Sequence, residues 1–153
     1  MSFILRLRIA AAAALLLALA GGSAAAADAQ QEANRKVVLD FYEKGLNQKD
    51  ADAAIALMGN RYVQHNPNAA DGPEGFRKFI GFLKEKFPNS RSEIKRSFVD
   101  GDYVILHVHA VREPGTRGTA IVDIFKLEGG KIVEHWDVAQ PIPENPANNN
   151  GMF

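Results

Sequence analysis

Three turn pairs divide the second half of the chain into stretches rich in β-branched and aromatic residues. The pairs are Asp100-Gly101, Pro114-Gly115 and Gly129-Gly130. Dipeptides of this kind favour tight reversals between strands. The stretches cover about residues 91–99, 103–112, 119–127 and 131–140. Because the connections are short, the sequence predicts four strands in an antiparallel meander.

Apolar residues at helical spacing precede the strands and predict three helices. The first has its apolar stripe within 37–46, the second runs over 50–59, and the third lies within 73–88 between two prolines. Helices followed by strands are typical of an α+β fold. We therefore expect a curved antiparallel sheet with three N-terminal helices on one face, enclosing a cone-shaped pocket.

The N-terminus has the pattern of a secretory signal peptide. Arg6 and Arg8 precede an apolar run over 9–20, and residues 21–27 are a small-residue zone with several A-x-A cleavage sites. A membrane anchor is the alternative, but the run is shorter than the roughly 20 apolar residues that span a bilayer. We expect a signal peptide at 1–27, one domain at 28–140, a tail at 141–153, and a periplasmic or secreted protein.

Composition excludes several classes of function. The chain has no cysteine, so thiol catalysis, disulfides and cysteine-ligated metals are excluded. It has 18 basic and 18 acidic residues, and the signal peptide removes two of the basic ones. A near-neutral mature chain without a basic stripe gives no support for binding nucleic acid, or a membrane after signal cleavage.

Asp123 is the most informative polar residue because it interrupts an apolar strand, Thr119-Ala120-Ile121-Val122-Asp123-Ile124-Phe125. A buried carboxylate is costly and is suited to acid/base chemistry. The alternative is a structural aspartate that is satisfied by a neighbouring side chain. The sequence leaves both interpretations open.

His107 and His109 are two residues apart, so a regular strand places them on the same face. On the pocket side, one of them could pair with Asp123 and relay its proton. The alternative is that they lie on a half-exposed face. The spacing also suits a metal, with His65 or His135 completing the site, but no second ligand motif supports this and we expect no metal.

Two further segments could border a ligand. Trp136 alternates with His135 and Asp137, so it is either a core residue or a flat wall for a ring-shaped ligand. Gln64-His65-Asn66 precedes Pro67 and either caps a loop or forms a polar rim at the pocket mouth.

Several segments together resemble the SnoaL-like polyketide cyclases of the nuclear transport factor two-like superfamily. They are Tyr62-Val63-Gln64-His65-Asn66-Pro67, Asp71-Gly72-Pro73-Glu74, Val122-Asp123-Ile124-Phe125, Gly130-Lys131-Ile132-Val133-Glu134-His135-Trp136-Asp137 and the tail from Glu144. The resemblance implies an interior aspartate acting as acid/base in an aldol closure, helped by a histidine, with no metal or organic cofactor. These positions carry over to Asp123 and His109. The residues expected to contact substrate are Tyr62, His65, Asn66, His107 and Trp136.

The leading hypothesis is a cofactor-free enzyme, cyclase or isomerase-like, that moves a proton on a small, largely apolar carbonyl compound. The rival is an exported protein that binds a small hydrophobic ligand without turnover. We also expect a homodimer through the open face of the sheet. The apolar residues assigned to that face are Val104, Leu106, Val108, Ala110, Ala120, Val122 and Ile124.

Overall fold

The structure, a computed structural model, describes residues 26–153. The predicted signal peptide at 1–27 lies almost wholly outside the described residues. Within the described part, no helix is both long enough and apolar enough to cross a membrane.

Three helices precede most of the sheet, as predicted. Helix α1 covers 26–42 and continues into a π-helical turn, Glu43–Asn47. Helix α2 is Ala51–Ile55, and the side chain of Asp50 caps it by accepting a 3.0 Å hydrogen bond from the Ala53 backbone N–H. Helix α3 is Gly72–Lys86, with proline in its first turn. The second predicted helix was too long, since the chain after α2 enters a strand.

The five strands form one mixed sheet in the order β1-β5-β4-β3-β2. They are β1 Met58–Gln64, β2 Arg91–Asp100, β3 Tyr103–Val111, β4 Thr119–Glu128 and β5 Lys131–Pro141. Strands β2 to β5 are the predicted antiparallel meander. Strand β1 pairs parallel to β5, so the prediction of a purely antiparallel sheet was wrong at this edge. Short strand β1 is formed by a long-range pairing that local periodicity does not reveal.

The concave face of the sheet packs on the helices. Val104, Leu106 and Val108 of β3 are buried in this core. The ring of Phe41 in α1 lies 4.9 Å from Phe76 in α3 and 5.7 Å from Phe125 in β4, measured between ring centroids. The assignment of Val104, Leu106 and Val108 to the open face was therefore wrong, because the side chains that alternate with them face outward.

The opposite, outer face of the sheet is partly open. Its exposed large apolar side chains are Phe98, Tyr103, Val122 and Val138. The C-terminal tail returns to this face, where the Phe153 ring lies 5.1 Å from His107 and 4.9 Å from His109. The end of the tail therefore docks on the sheet, although on a pair of histidines rather than on an apolar patch.

Candidate active site

A cavity of about 1060 Å³ opens between the helices and the concave face. One part of its wall is apolar and includes Phe41, Phe76, Phe79, Leu83 and Ile121. The polar side chains grouped at another part are Tyr42, Tyr62, Gln64, Asn66, Asp123, His135 and Asp137. A large apolar cavity with a few convergent polar groups is the usual form of a small-molecule site.

Asp123 lies at the centre of the polar group and is only 4% exposed. Its Oδ2 accepts a 2.8 Å hydrogen bond from the hydroxyl of Tyr42, in the last turn of α1. Its Oδ1 lies 2.9 Å from Nε2 of His135. A carboxylate has about four lone-pair positions, so each oxygen keeps one that these partners do not use. Since Asp123 also lines the cavity, it can still accept a proton from a bound molecule.

The tautomer of His135 follows from its other contact. The Gln64 Oε1 accepts a 2.9 Å hydrogen bond from the Asn66 backbone N–H, which fixes the oxygen side of that amide. The same oxygen lies 2.9 Å from Nδ1 of His135. Because a carbonyl oxygen only accepts, Nδ1 must carry a hydrogen. Gln64 thereby sets both the ring orientation and the protonation of Nδ1.

A single proton therefore lies between Asp123 and His135. Either Nε2 carries it and the pair is carboxylate with imidazolium, or Oδ1 carries it and both groups are neutral. The pair can accept a proton on the carboxylate and return it with little rearrangement, which is the requirement for acid/base work.

Two tyrosines keep their protons beside this pair. Burial raises the pKa of Tyr42 well above its usual value, and the negative charge of Asp123 adds to the effect. Burial likewise raises the pKa of Tyr62, with Asp123 and Asp137 contributing. The Tyr62 oxygen accepts a 3.3 Å hydrogen bond from Gln64 Nε2. Within residues 26–153 its own hydroxyl hydrogen has no acceptor, so it is available to a ligand in the cavity.

Asp137 provides a second carboxylate. Strand pairing sets it directly across from Asp123, and both its oxygens lie 2.8 Å from Nδ2 of Asn66. Ligand atoms of Asp123, His135 and Asp137 lie within 4.8 Å of one another and could hold a cation. Both nitrogens of His135 are already hydrogen-bonded, so a cation there would have to displace Asp123 or Gln64 from the imidazole.

The predicted partner of Asp123, His109, lies elsewhere. It pairs across the strands with Ala120, whereas Asp123 pairs with Leu106, so the two side chains emerge on opposite faces. Its Nε2 is 2.7 Å from the carbonyl oxygen of Arg117. The pairing of His109 with Asp123 was therefore wrong, and His135 occupies that place.

An irregularity in β5 explains why His135 was missed. Near the Gly129-Gly130 turn, Leu127 pairs with Ile132, but Lys126 already pairs with Glu134. The extra residue, Val133, is a β-bulge that leaves both Ile132 and Val133 buried. A regular hairpin would have set Trp136 across from Asp123. The bulge moves the register by one, so His135 and Asp137 face the cavity instead.

The five predicted substrate contacts divide between the two faces. Tyr62 and Asn66 line the cavity. His65 and Trp136 stack on each other on the outer side, with ring centroids 4.5 Å apart and planes 4° from parallel. His107 is also outside, beside Phe153. The prediction was therefore wrong for these three residues, and it omitted Tyr42 and Gln64.

The comparisons with known proteins agree with this architecture. The profile of the family described as "SnoaL-like domain" matches residues 38–135. No curated protein matches the chain. Similar solved structures include TsrD from Streptomyces laurentii, at 18% identity, a TM-score of 0.60 and coverage of 71% of this chain and 89% of that one.

Two more structures share the fold. One is a cystatin-fold protein from Novosphingobium aromaticivorans, at 22% identity and a TM-score of 0.59, covering 69% of this chain and 97% of that one. The other is a proposed polyketide cyclase from Acidithiobacillus ferrooxidans, at 17% identity and a TM-score of 0.59, covering 70% and 87%. The family match spans more than half of the chain. It includes β1 to β4 and the first part of β5, up to His135. The chain therefore belongs to the SnoaL-like domain family.

Proposed function

We propose that this protein is an acid/base enzyme that removes and returns a proton next to the carbonyl of a small, largely apolar compound. The observation that carries the proposal is the 2.9 Å contact between Asp123 Oδ1 and His135 Nε2 in the cavity wall, with Nδ1 of the same ring held by Gln64. One of the similar structures is a proposed polyketide cyclase, which is compatible with such chemistry. The side chains present can perform this step without a metal or an organic cofactor.

In the proposed reaction, His135 holds the shared proton on Nε2 and Asp123 is the carboxylate base. Asp123 takes a proton from the carbon next to the carbonyl, and electrons move onto the carbonyl oxygen. Tyr62 donates its free hydroxyl hydrogen to that oxygen and stabilises the developing charge. Asp123 then returns the proton to another carbon, giving an isomer. In a cyclase, the enolate instead attacks a second carbonyl, and the new alkoxide takes the proton.

Exchange of hydrogen for deuterium tests the first step without knowledge of the natural product. Aryl and alicyclic ketones are incubated with protein in D2O, and loss of the α-proton signal is followed by NMR. The intact protein should accelerate exchange in at least one compound. Asp123→Asn should remove the acceleration, and His109→Gln, on the other face, is the matched control.

The rival function is binding without turnover. A protein of that kind would return its ligand unchanged and would keep its affinity in Asp123→Asn. Acceleration of exchange that survives in Asp123→Asn would also contradict the proposed base.

We propose further that the protein is a homodimer through the outer face. Support comes from the exposed apolar residues there, including Phe98 at 55% and Val138 at 75% exposure. Surfaces of this kind are commonly covered by a partner. Light scattering at micromolar concentration should give twice the monomer mass.

We also propose export to the periplasm or medium, on the basis of the sequence pattern at 1–27. The intact mass of exported protein should correspond to a chain that begins at residue 27 or 28. A mass that still includes the apolar run over 9–20 would overturn this proposal.

A further inference from the structure

The mouth of the cavity carries three arginines that a negatively charged ligand could meet. Arg91, Arg112 and Arg117 all line the cavity. Some other arginines are ion-paired: Arg61 with Glu128 and Glu134, for example. Within the described residues none of the three at the mouth has an ion pair. Glu113 and Glu144 line the same opening but do not pair with them.

Arg112 lies near two aromatic rings. Its guanidinium carbon lies 5.8 Å from the centroid of Phe79 in α3 and 5.6 Å from that of Phe87, which follows α3. The rings attract the cation, and because Arg112 is exposed its N–H groups stay accessible. Throughout residues 26–153, no side-chain hydrogen bond uses these donors. Arg112 therefore offers a guanidinium fork of the kind that binds carboxylate.

The space around Arg112 admits a ligand group. Arg112 and Phe79 line the main cavity and also an adjoining groove of about 370 Å³, in which Lys78 provides another cation. Thr119 also lines the cavity, and on β4 it lies four positions before Asp123. At about 3.3 Å per residue, their Cα atoms are roughly 13 Å apart. A molecule that reaches both ends must be elongated, with an apolar middle to match Phe76 and Ile121.

We propose that the substrate is an elongated oxo acid whose carboxylate binds Arg112 while its carbonyl lies at Asp123. The position of the carbonyl depends on the proposed function, whereas the position of the carboxylate depends only on Arg112. The cavity thus selects by charge at its mouth and performs chemistry at its polar end.

The test compares one acid with its neutral ester. The probes are 11-oxododecanoate and its methyl ester, with affinities measured by titration calorimetry. The acid should bind roughly 10–100-fold more tightly than the ester, the usual contribution of a hydrogen bond to a charged group. Arg112→Gln should remove this preference while leaving ester binding close to that of the intact protein.

Matched variants separate charge recognition from packing. Arg96→Gln makes the same change of charge on β2 at a residue that does not line the cavity, and should keep the preference. Arg112→Lys keeps a cation without the fork and should retain part of it. Equal weakening of acid and ester in Arg112→Gln would show that Arg112 only packs against Phe79 and Phe87, and would overturn the proposal.

Two further outcomes are decisive. A preference for the acid that survives in Arg112→Gln, or no binding of either probe at millimolar concentration, would also overturn it. The affinity for dodecanoate, which lacks the ketone, should fall in Arg112→Gln as the affinity for the oxo acid does. The affinity for the oxo acid should show the same dependence on Arg112 when Asp123 is replaced by Asn. Charge selection can therefore stand even if no deuterium exchange is found.

Discussion

The two faces of the sheet carry similar residue types in different surroundings. On the concave face, His135 is 8% exposed and both its nitrogens have defined partners, Asp123 and Gln64. On the outer face, His107 and His109 lie beside the tail at Phe153. His135 belongs to β5, and the other two belong to β3, on the far side of β4. The main difference is the face of the sheet to which the strand turns each side chain.

The partner of the second ring nitrogen decides whether a histidine can take part in the chemistry of the site. His135 can hold a proton for Asp123 because Gln64 fixes its other nitrogen. His109 meets a backbone carbonyl of the β3–β4 loop and no acid within hydrogen-bonding distance. Acid/base chemistry is therefore expected on the concave face, and association on the outer face.

The largest expected effect is on catalysis. Asp123→Asn should lower the exchange rate by about 10²–10⁴-fold, since a positioned base contributes roughly that much. His109→Gln should change it little. If the two variants lost activity equally, catalysis would not be specific to the concave face.

Asp123→Asn also tests whether Asp123 and His135 share a proton. In Asp123→Asn, the NMR resonances of the His135 ring nitrogens should move because the partner of Nε2 has lost its charge. The ring resonances of His107 and His109 should stay as they were. An unmoved His135 would mean that the two groups do not share a proton.

Association should respond to the outer face alone. Val122→Glu adds a charge to a side chain that is 42% exposed on the outer face of the chain. If that face is buried in a dimer, an unpaired charge there should weaken self-association by roughly 100-fold or more. Sedimentation would measure this, and exchange activity per chain is the control. If the variant dimerises with unchanged affinity, the outer face is not the dimer interface.

Stability at high pH should respond to Tyr42. Its folded-state pKa is raised, so the unfolded chain releases the phenolic proton first as pH rises. The stabilisation is present below about pH 10 and is lost as pH rises toward the folded pKa. In Tyr42→Phe, the fall of unfolding free energy above pH 10 should be shallower by about 1.4 kcal/mol per pH unit. Urea denaturation from pH 8 to 11 measures both slopes, and equal slopes would contradict the buried hydroxyl.

The smallest effect is expected at the tail. Phe153→Ala removes a ring that is 36% exposed and contacts the two outer histidines. A partly exposed side chain should cost about 1 kcal/mol or less. The midpoint of thermal unfolding should fall slightly. The NMR ring resonances of His107 and His109 should change, while those of His135 should not.

The part of the fold that could be predicted was set by local chemistry. The glycine-containing turns at residues 101, 115 and 129–130 separate β2 to β5, and Asp50 with Pro73 marks the starts of α2 and α3. Such signals act within a few residues and are visible in a single chain. Strand β1 was missed because its hydrogen bonds go to β5, about 70 residues later.

The candidate site was only half predictable for a related reason. Asp123 stood out because a carboxylate in an apolar strand is costly anywhere. Its partners come from two other elements, Tyr42 from α1 and His135 from β5. Gln64, which holds His135, comes from β1. Sequence spacing does not measure the distance between such residues.

The family, the α+β order of elements and the antiparallel meander can be read from the sequence alone, which also singles out Asp123 as a candidate site residue. Tertiary structure decided which histidine meets that carboxylate. The physical reason is the period of two in a strand: one inserted residue, Val133, reverses the faces of all that follow it. That single bulge places His135 in the cavity and Trp136 on the outer face.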